Sequence, residues 1–253
     1  MKIPRCFFHL AVFAAASSCI VLDAHAKGTL AWPLPVLPQN ESAITPEPHV
    51  DWLQRVQTNL DQSKKMPSID LIFDGDSITD FWQTKGKDVW TQHYAKLNAF
   101  DFGIAADRTE HVLWRLENGQ LDGLHPKLVV LLIGTNNLGM NTNEQIVAGV
   151  KAIIGEYQKR CPEAAILVQG IFPRGVPADF WARPRIKAIN QSLASLADGK
   201  KVIFMDFGDK FLKPDGTLPP EIMPDALHPS AEGYQIWADA IQPVIDQFFS
   251  SPK

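Results

Sequence analysis

The sequence predicts one α/β domain with a mostly parallel β-sheet that is covered by helices on both faces. Five short apolar segments, each bounded by turn or polar residues, have the length of buried strands: residues 69–73, 99–102, 128–133, 165–171 and 202–207. Between and after them lie segments with the apolar spacing of helices: residues 90–97, 109–116, 144–157, 186–196 and 231–248. Strands that alternate with helices at this interval form βαβ units, in which neighbouring strands are parallel.

The first 50 residues are predicted to lie outside this domain. An apolar segment at 6–22 follows two early cations and ends before Ala24-His25-Ala26, which is the pattern of a secretory signal peptide cleaved after Ala26. A membrane anchor and a lipid attached at Cys19 are the alternatives, but the apolar segment is short for a bilayer span. Residues 27–50 carry five prolines and are expected to form an extended arm before a domain at 51–253.

Composition excludes several classes of protein. The 24 Lys and Arg residues and 28 Asp and Glu residues give a net charge of -4 without a basic block, so we expect no nucleic-acid partner. Beyond residue 26 the single cysteine is Cys161, so no intramolecular disulfide and no Cys-x-x-Cys site are expected. No two of the five histidines beyond residue 26 have the i, i+4 spacing of a helical zinc site, so we expect no metal.

Candidate catalytic residues follow the predicted strands, where a doubly wound sheet binds its ligands. Gly75-Asp76-Ser77 comes after the first strand, and a serine at a strand-to-helix turn presents its hydroxyl beside free backbone N–H groups. Asp225 and His228 precede the last helix, where the carboxylate can orient the imidazole toward the serine. Taken alone, Asp76 and Ser77 would also suit a helix cap.

Two further loops carry groups that stabilise an oxyanion. Gly103 follows the second strand and Asn136 follows the third, so a backbone N–H and a side-chain amide are available at the same edge of the sheet. Both residues are also common in ordinary turns. The remaining histidines are assigned to packing or surface roles: His49, His93, His111 and His125.

In these motifs the chain resembles the SGNH hydrolases, also called the GDSL esterase/lipase family. The four blocks occur in the family's order: Gly75-Asp76-Ser77, Gly103, Gly134-Thr135-Asn136 and Asp225-x-x-His228. Residues 102–119 and 172–175 look most like the catalytic subunits of platelet-activating-factor acetylhydrolase. Those subunits usually carry paired glycines where this chain has Ala105-Ala106.

The resemblance implies a flavodoxin-like three-layer α/β/α sandwich with a five-stranded sheet. It implies Ser77 as the nucleophile, His228 as the base and Asp225 as the orienting acid. It also implies an oxyanion hole from the N–H groups of Ser77 and Gly103 and the side chain of Asn136. The expected protein is a secreted or periplasmic serine esterase that removes short acyl groups without a cofactor. Acetyl is the acyl group that we expect first.

Several alternatives stay open at this point. A small-molecule or polysaccharide ester, such as acetylated carbohydrate, is the expected substrate, with phospholipid, lysophospholipid or thioester hydrolysis as the alternative within the family. A non-catalytic carbohydrate- or lipid-binding domain is the alternative of another class. A flavodoxin-type nucleotide binder is not favoured, because no Gly-rich phosphate loop follows the first strand. We expect no membrane span after removal of the signal peptide, and the sequence indicates neither the oligomeric state nor the substrate-binding residues.

Overall fold

The computed structural model describes residues 42–250. The predicted signal peptide and most of the Pro-rich arm therefore lie outside the described residues. Five strands are present: β1 Leu71–Gly75, β2 Ala99–Asp101, β3 Leu128–Leu132, β4 Ala165–Gln169 and β5 Val202–Met205. The α-helices are α1 Leu53–Ser63, α2 Ser77–Asp80, α3 Lys87–His93, α4 Thr109–Arg115, α5 Asn143–Arg160, α6 Ala182–Ala194 and α7 Ala231–Phe249.

All five strands are parallel and lie in the order β2-β1-β3-β4-β5. The chain passes from β1 to one side for β2 and to the other side for β3, so the topological switch point lies between β1 and β3. In doubly wound sheets of this order, ligands bind outside the carboxyl ends of the strands at that point. The residues that follow β1, β2 and β3 are therefore placed together.

Helices cover both faces of the sheet, which confirms the predicted three-layer α/β fold. Alternate residues of β1 enter different cores: Ile72 packs with helices α4, α5 and α6, whereas Leu71 and Phe73 pack with α3 and α7. Every residue of β1, β3 and β4 is buried. Strands buried on both faces have continuous rather than alternating apolar runs, which is how they appear in the sequence.

The elements differ from the prediction mainly at their ends. The predicted helix 90–97 is α3 followed by a short 3₁₀ turn at Ala95–Leu97, and α4 continues into an irregular turn at Leu116–Gln120. The four-residue helix α2 is too short to show an apolar period. None of the helices within residues 42–250 combines the length and apolarity needed to cross a bilayer.

Candidate active site

Ser77 is the first residue of α2, directly beyond the carboxyl end of β1. A side chain at Gly75 would come within 2.1 Å of the Leu132 carbonyl oxygen, so glycine is required where β1 passes β3. The Asp76 carboxylate caps α2 by accepting a hydrogen bond from the Ile78 N–H at 2.9 Å. This strand-to-helix turn places the Ser77 side chain, which is 8% exposed, at the sheet edge.

His228 joins Ser77 to Asp225 in a continuous hydrogen-bonded chain. The Ser77 Oγ lies 2.9 Å from His228 Nε2, and His228 Nδ1 lies 2.7 Å from Asp225 Oδ2. An Nδ1–H that donates to the carboxylate leaves Nε2 as the acceptor for the serine hydroxyl. In this arrangement the imidazole can take the proton of Ser77 as its oxygen attacks an electrophile.

The Asp225 carboxylate is ionised at neutral pH. Partial burial would raise its pKa, but hydrogen bonds from the His228 backbone N–H and ring, together with the Leu227 N–H, outweigh burial and lower the pKa to about 2. The Nζ of Lys85 lies 4.0 Å from Asp225 Oδ2. A carboxylate that stays charged keeps the Nδ1–H tautomer of His228 and stabilises an imidazolium once it forms.

The loop after β4 holds the segment that carries Asp225. The Gly175 N–H donates to the Ala226 carbonyl oxygen at 2.9 Å, and Ala226 itself has a left-handed φ of 58°. Gly175 has a φ of 78°, and a side chain there would come within 2.1 Å of the Phe180 ring. Arg183 donates to the Gly175 carbonyl oxygen. The motif at 172–175 therefore supports the Asp225 loop through its backbone.

Gly103 does not meet the requirement of an oxyanion donor, which corrects the sequence prediction. Its N–H already donates to Asp101 Oδ1 at 2.8 Å. A Cβ at this position would lie 2.3 Å from the Asp80 nitrogen, so Gly103 allows the chain after β2 to pass close to α2. The requirement for glycine here is steric, and a sequence pattern alone does not distinguish the two roles.

Ala106, three residues further, has the geometry that was expected of Gly103. It is exposed and has a left-handed φ of 63°. The backbone N–H groups of Ala106 and Ser77 have no hydrogen-bond partner within residues 42–250. The signal in the sequence was the pair Ala105-Ala106, at the positions where the family that the chain resembles usually has paired glycines, because glycine is the residue that most readily adopts a left-handed φ.

Asn136 lies in the turn after β3 and is half-buried. Its Nδ2 donates one hydrogen bond to the Asp107 carbonyl oxygen at 2.9 Å, and a primary amide has a second N–H to donate. Asn136 and Ala106 line the same cavity of about 380 Å³. The structure therefore brings Ser77, His228 and Asp225 together in one chain of contacts and places Asn136 beside Ala106.

The same cavity is bordered by two histidines that the sequence analysis assigned to packing or surface roles. His49 Nδ1 lies 2.9 Å from Asp107 Oδ1, and the His49 and His111 rings stack with centroids 4.4 Å apart. Burial is the main cause that lowers the pKa of His111 to about 4, so its ring is neutral. His49 and Asp107 are 58 positions apart in the chain, which explains why spacing gave no sign of this contact.

Of the residues that the structure describes, His49, Asp107 and His111 form the one group of three whose ligand atoms are close enough to hold a metal ion. The atoms of this group that face one another already have hydrogen-bond partners, since His49 Nδ1 lies 2.9 Å from Asp107 Oδ1. His111 Nδ1 accepts from the Arg108 N–H at 3.1 Å, and Asp107 Oδ2 accepts from Arg115 Nε at 2.9 Å. The group is organised as a hydrogen-bonded network next to the cavity.

Comparison with known proteins places the chain among ester-cleaving enzymes. The model of the GDSL-like lipase/acylhydrolase family matches residues 73–236. The alpha1 subunit of platelet-activating factor acetylhydrolase IB from Homo sapiens is 38% identical over 175 residues, which cover 69% of this chain and 73% of that protein. The alpha2 subunit from Mus musculus is also 38% identical, over 176 residues that cover 69% and 74% of the two chains.

Solved structures show the same fold at lower identity. A GDSL-like lipase from Bacteroides thetaiotaomicron superposes with a TM-score of 0.62 at 20% identity, covering 76% of this chain and 97% of that one. An acetylxylan esterase from Geobacillus stearothermophilus superposes with a TM-score of 0.57 at 18% identity, covering 70% and 94%.

Proposed function

Because the chain belongs to the GDSL-like lipase/acylhydrolase family and is an ester hydrolase of the SGNH type, we propose that it removes acetyl groups from hydroxylated substrates by serine acyl transfer. The observation that carries this proposal is the continuous contact from Ser77 Oγ through the His228 ring to the Asp225 carboxylate. Nucleophile, base and orienting acid are then all within hydrogen-bond distance before substrate binds.

The reaction proceeds in two steps. Ser77 Oγ attacks the ester carbonyl while His228 Nε2 takes its proton, and the tetrahedral oxyanion then collapses as the alcohol leaves with that proton. Water, deprotonated by His228, attacks the acyl-enzyme, and the serine hydroxyl is restored as the acid leaves. The oxyanion accepts hydrogen bonds from the N–H groups of Ser77 and Ala106 and from Asn136 Nδ2. No cofactor takes part in these steps.

The acetyl preference is supported by the activities for which the relatives are named. Platelet-activating factor acetylhydrolase and acetylxylan esterase differ in the alcohol that they release and share the acetyl group that they remove. Acetylated carbohydrate is the substrate that we favour for this chain, and an acetylated phospholipid is the second candidate because of the 38% identity to the acetylhydrolase subunits. Hydrolysis of both esters by the purified protein, compared as kcat/KM, decides between them.

Export of the protein is part of the proposal. The cationic start, the apolar segment 6–22 and Ala24-His25-Ala26 support a signal peptide that is removed after Ala26, with a secreted or periplasmic product. N-terminal sequencing of the protein recovered from outside the cytoplasm should begin at Lys27. Recovery in the cytoplasm with Met1 in place would contradict export and leave the esterase proposal untouched.

Replacement of the nucleophile tests the enzymatic mechanism. Ser77→Ala should lower kcat/KM on 4-nitrophenyl acetate by about 1,000-fold or more and abolish labelling by a fluorophosphonate, because no other group attacks the carbonyl. Ser192→Ala, at an exposed helical serine, is the matched control and should keep both. A chain-length series should show the highest kcat/KM for acetate. Labelling that persists in Ser77→Ala, or a maximum at a long acyl chain, would contradict the proposal.

A further inference from the structure

The cavity beside Ala106 and Asn136 has a second wall made by residues 47–50, which precede the α/β domain in the chain. These residues belong to a segment at 42–52, here called the arm segment. The Ala43 carbonyl oxygen accepts from Thr109 Oγ1 at 2.8 Å, and the Glu47 N–H donates to the Glu110 carbonyl oxygen at 3.1 Å. The arm segment is therefore bound to α4 at two points.

Residues of the domain are suited to this contact. Ala43 is 1% exposed, and a side chain at Gly149 of α5 would come within 2.6 Å of the Ala43 carbonyl oxygen. Asn141 Nδ2 donates to Ser42 Oγ at 3.0 Å. The arm segment is held in one position by a buried alanine, by a glycine that makes room for it and by three hydrogen bonds to the domain. It therefore forms a defined wall of the cavity.

His49 is the residue of this wall with the most defined orientation. Its Nδ1 is held by Asp107 Oδ1 at 2.9 Å, and its ring stacks on His111. Asp107 is fully buried and is itself fixed by Arg115 Nε. An Nδ1–H that donates to this carboxylate leaves the Nε2 lone pair free, and within residues 42–250 that nitrogen has no hydrogen-bond partner.

The cavity is larger than an acetyl group needs. Its volume of about 380 Å³ lies in the range of roughly 300–1,000 Å³ that is usual for small-molecule sites. Its lining combines the polar groups of Glu47, His49, Arg108 and Asn136 with the apolar surface of Pro48, Val50, Ala106 and Met140, so it offers hydrogen bonds and also apolar contact for the carbon face of a ring. A hydrocarbon chain would desolvate these polar groups without returning hydrogen bonds, whereas a hydroxylated ring offers both donors and acceptors.

We propose that this cavity is the subsite for the alcohol part of the ester, a sugar unit that carries the acetyl group, and that His49 Nε2 accepts a hydrogen bond from one of its hydroxyls. The proposal rests on the proposed function in one respect, that the ester carbonyl is bound between Ser77, Ala106 and Asn136. The arm segment then contributes a specificity-determining residue from outside the α/β domain, and His49 acts on the sugar without taking part in acyl transfer.

Two acetyl esters that differ in their alcohol test this role. For His49→Ala, kcat/KM on an acetylated xylo-oligosaccharide should fall by about tenfold, mainly through KM, because one hydrogen bond to the sugar is lost. The kcat/KM on 4-nitrophenyl acetate should stay within about twofold, because that alcohol has no hydroxyl to bind. His49→Gln, which retains a hydrogen-bonding group, should recover part of the sugar activity.

The matched control is His93→Ala, at a half-buried histidine that bonds Gln242 between α3 and α7, and it should leave both activities unchanged. An equal loss on both esters in His49→Ala would mean that His49 acts through Asp107 on the Ala106 turn, which overturns the subsite. No loss on either ester also overturns it. So does a selective loss on 4-nitrophenyl octanoate, because the cavity would then hold the acyl chain.

A binding measurement separates this proposal from the proposed function. In a Ser77→Ala background, calorimetry should show that His49→Ala weakens binding of the acetylated xylo-oligosaccharide by about tenfold. If the wild-type protein cleaves no acetyl ester but His49-dependent binding is present, the proposed function fails and the sugar subsite stands. If esterase activity is present and binding does not depend on His49, only the proposal of the sugar subsite is contradicted.

Discussion

The Asn136 side-chain amide donates a hydrogen bond to the Asp107 carbonyl oxygen at 2.9 Å, and this bond joins the turn after β3 to the turn after β2. Asp107 is in turn held by Arg115, whose Nε donates to its carboxylate at 2.9 Å. The two turns that carry the proposed oxyanion donors are therefore positioned by a buried charged network. Their geometry is established before substrate binds, which is the condition for strong stabilisation of a developing charge.

Removal of the Asn136 amide should slow catalysis with little effect on substrate binding. We expect Asn136→Ala to lower kcat on 4-nitrophenyl acetate by about 100-fold while KM changes little, because the amide bonds the oxyanion more strongly than the ground-state carbonyl. Asn118→Ala, at an exposed amide that bonds the Trp114 carbonyl oxygen, is the control. A loss confined to KM would assign Asn136 to substrate binding instead.

Removing a methyl group at Ala106 and adding one at Gly103 should have different effects on the free energy of unfolding. Ala106→Gly relieves a left-handed φ of 63°, so we expect full activity and a free energy of unfolding that is unchanged or raised by up to about 1 kcal/mol. Gly103→Ala places a methyl group 2.3 Å from the Asp80 nitrogen, so we expect destabilisation by about 2 kcal/mol or more. Denaturant unfolding and kcat measure both. A Gly103→Ala protein with wild-type stability would argue against the close approach to α2.

The buried ion pairs of Arg115 should matter far more than an exposed pair. Arg115 is 2% exposed, and its Nη2 donates to Asp74 Oδ1 at 2.9 Å. Arg115→Leu leaves two buried carboxylates without their cation, so we expect a loss of about 3–5 kcal/mol in the free energy of unfolding. Lys159→Leu breaks an exposed pair with Glu156 and should cost about 0.5 kcal/mol or less. Equal losses in the two variants would contradict this account.

Asp76 should make stability depend on pH. Burial raises the pKa of this carboxyl to about 7, against the effect of its hydrogen bond from the Ile78 N–H. The folded state thus keeps a proton that the unfolded state releases near pH 4, so stability from this group is fully present below about pH 4 and is lost as the pH rises through about 7. Asp76→Asn does not titrate. In urea titrations, the free energy of unfolding of Asp76→Asn minus that of the wild type should therefore increase between pH 5 and pH 8. A difference that does not change with pH would refute the raised pKa of Asp76.

Much of the fold was predictable because it depends on local patterns. Short apolar runs identified all five strands, and the three central strands β1, β3 and β4 are buried throughout, as strands covered on both faces are expected to be. The ends of α3 and β5 were less accurate, and α2 was missed because four residues do not show a period. The positions next to the predicted strands and the last helix indicated Ser77, Asp225, His228 and Asn136, and the resemblance to a family implied their catalytic roles, which stay a prediction until the variants are measured.

The sequence by itself determined the class of fold and the order of the motif blocks, because periodicity and turn residues are carried by contiguous segments. Only the tertiary structure decided that the Gly103 N–H is occupied, that the Ala106 N–H has no partner among residues 42–250, and that His49 contacts Asp107, 58 positions further along the chain. The physical reason is that the spatial neighbours of an N–H or carbonyl group decide whether it already has a hydrogen-bond partner. Segments distant in the chain supply those neighbours when the sheet and its helices pack.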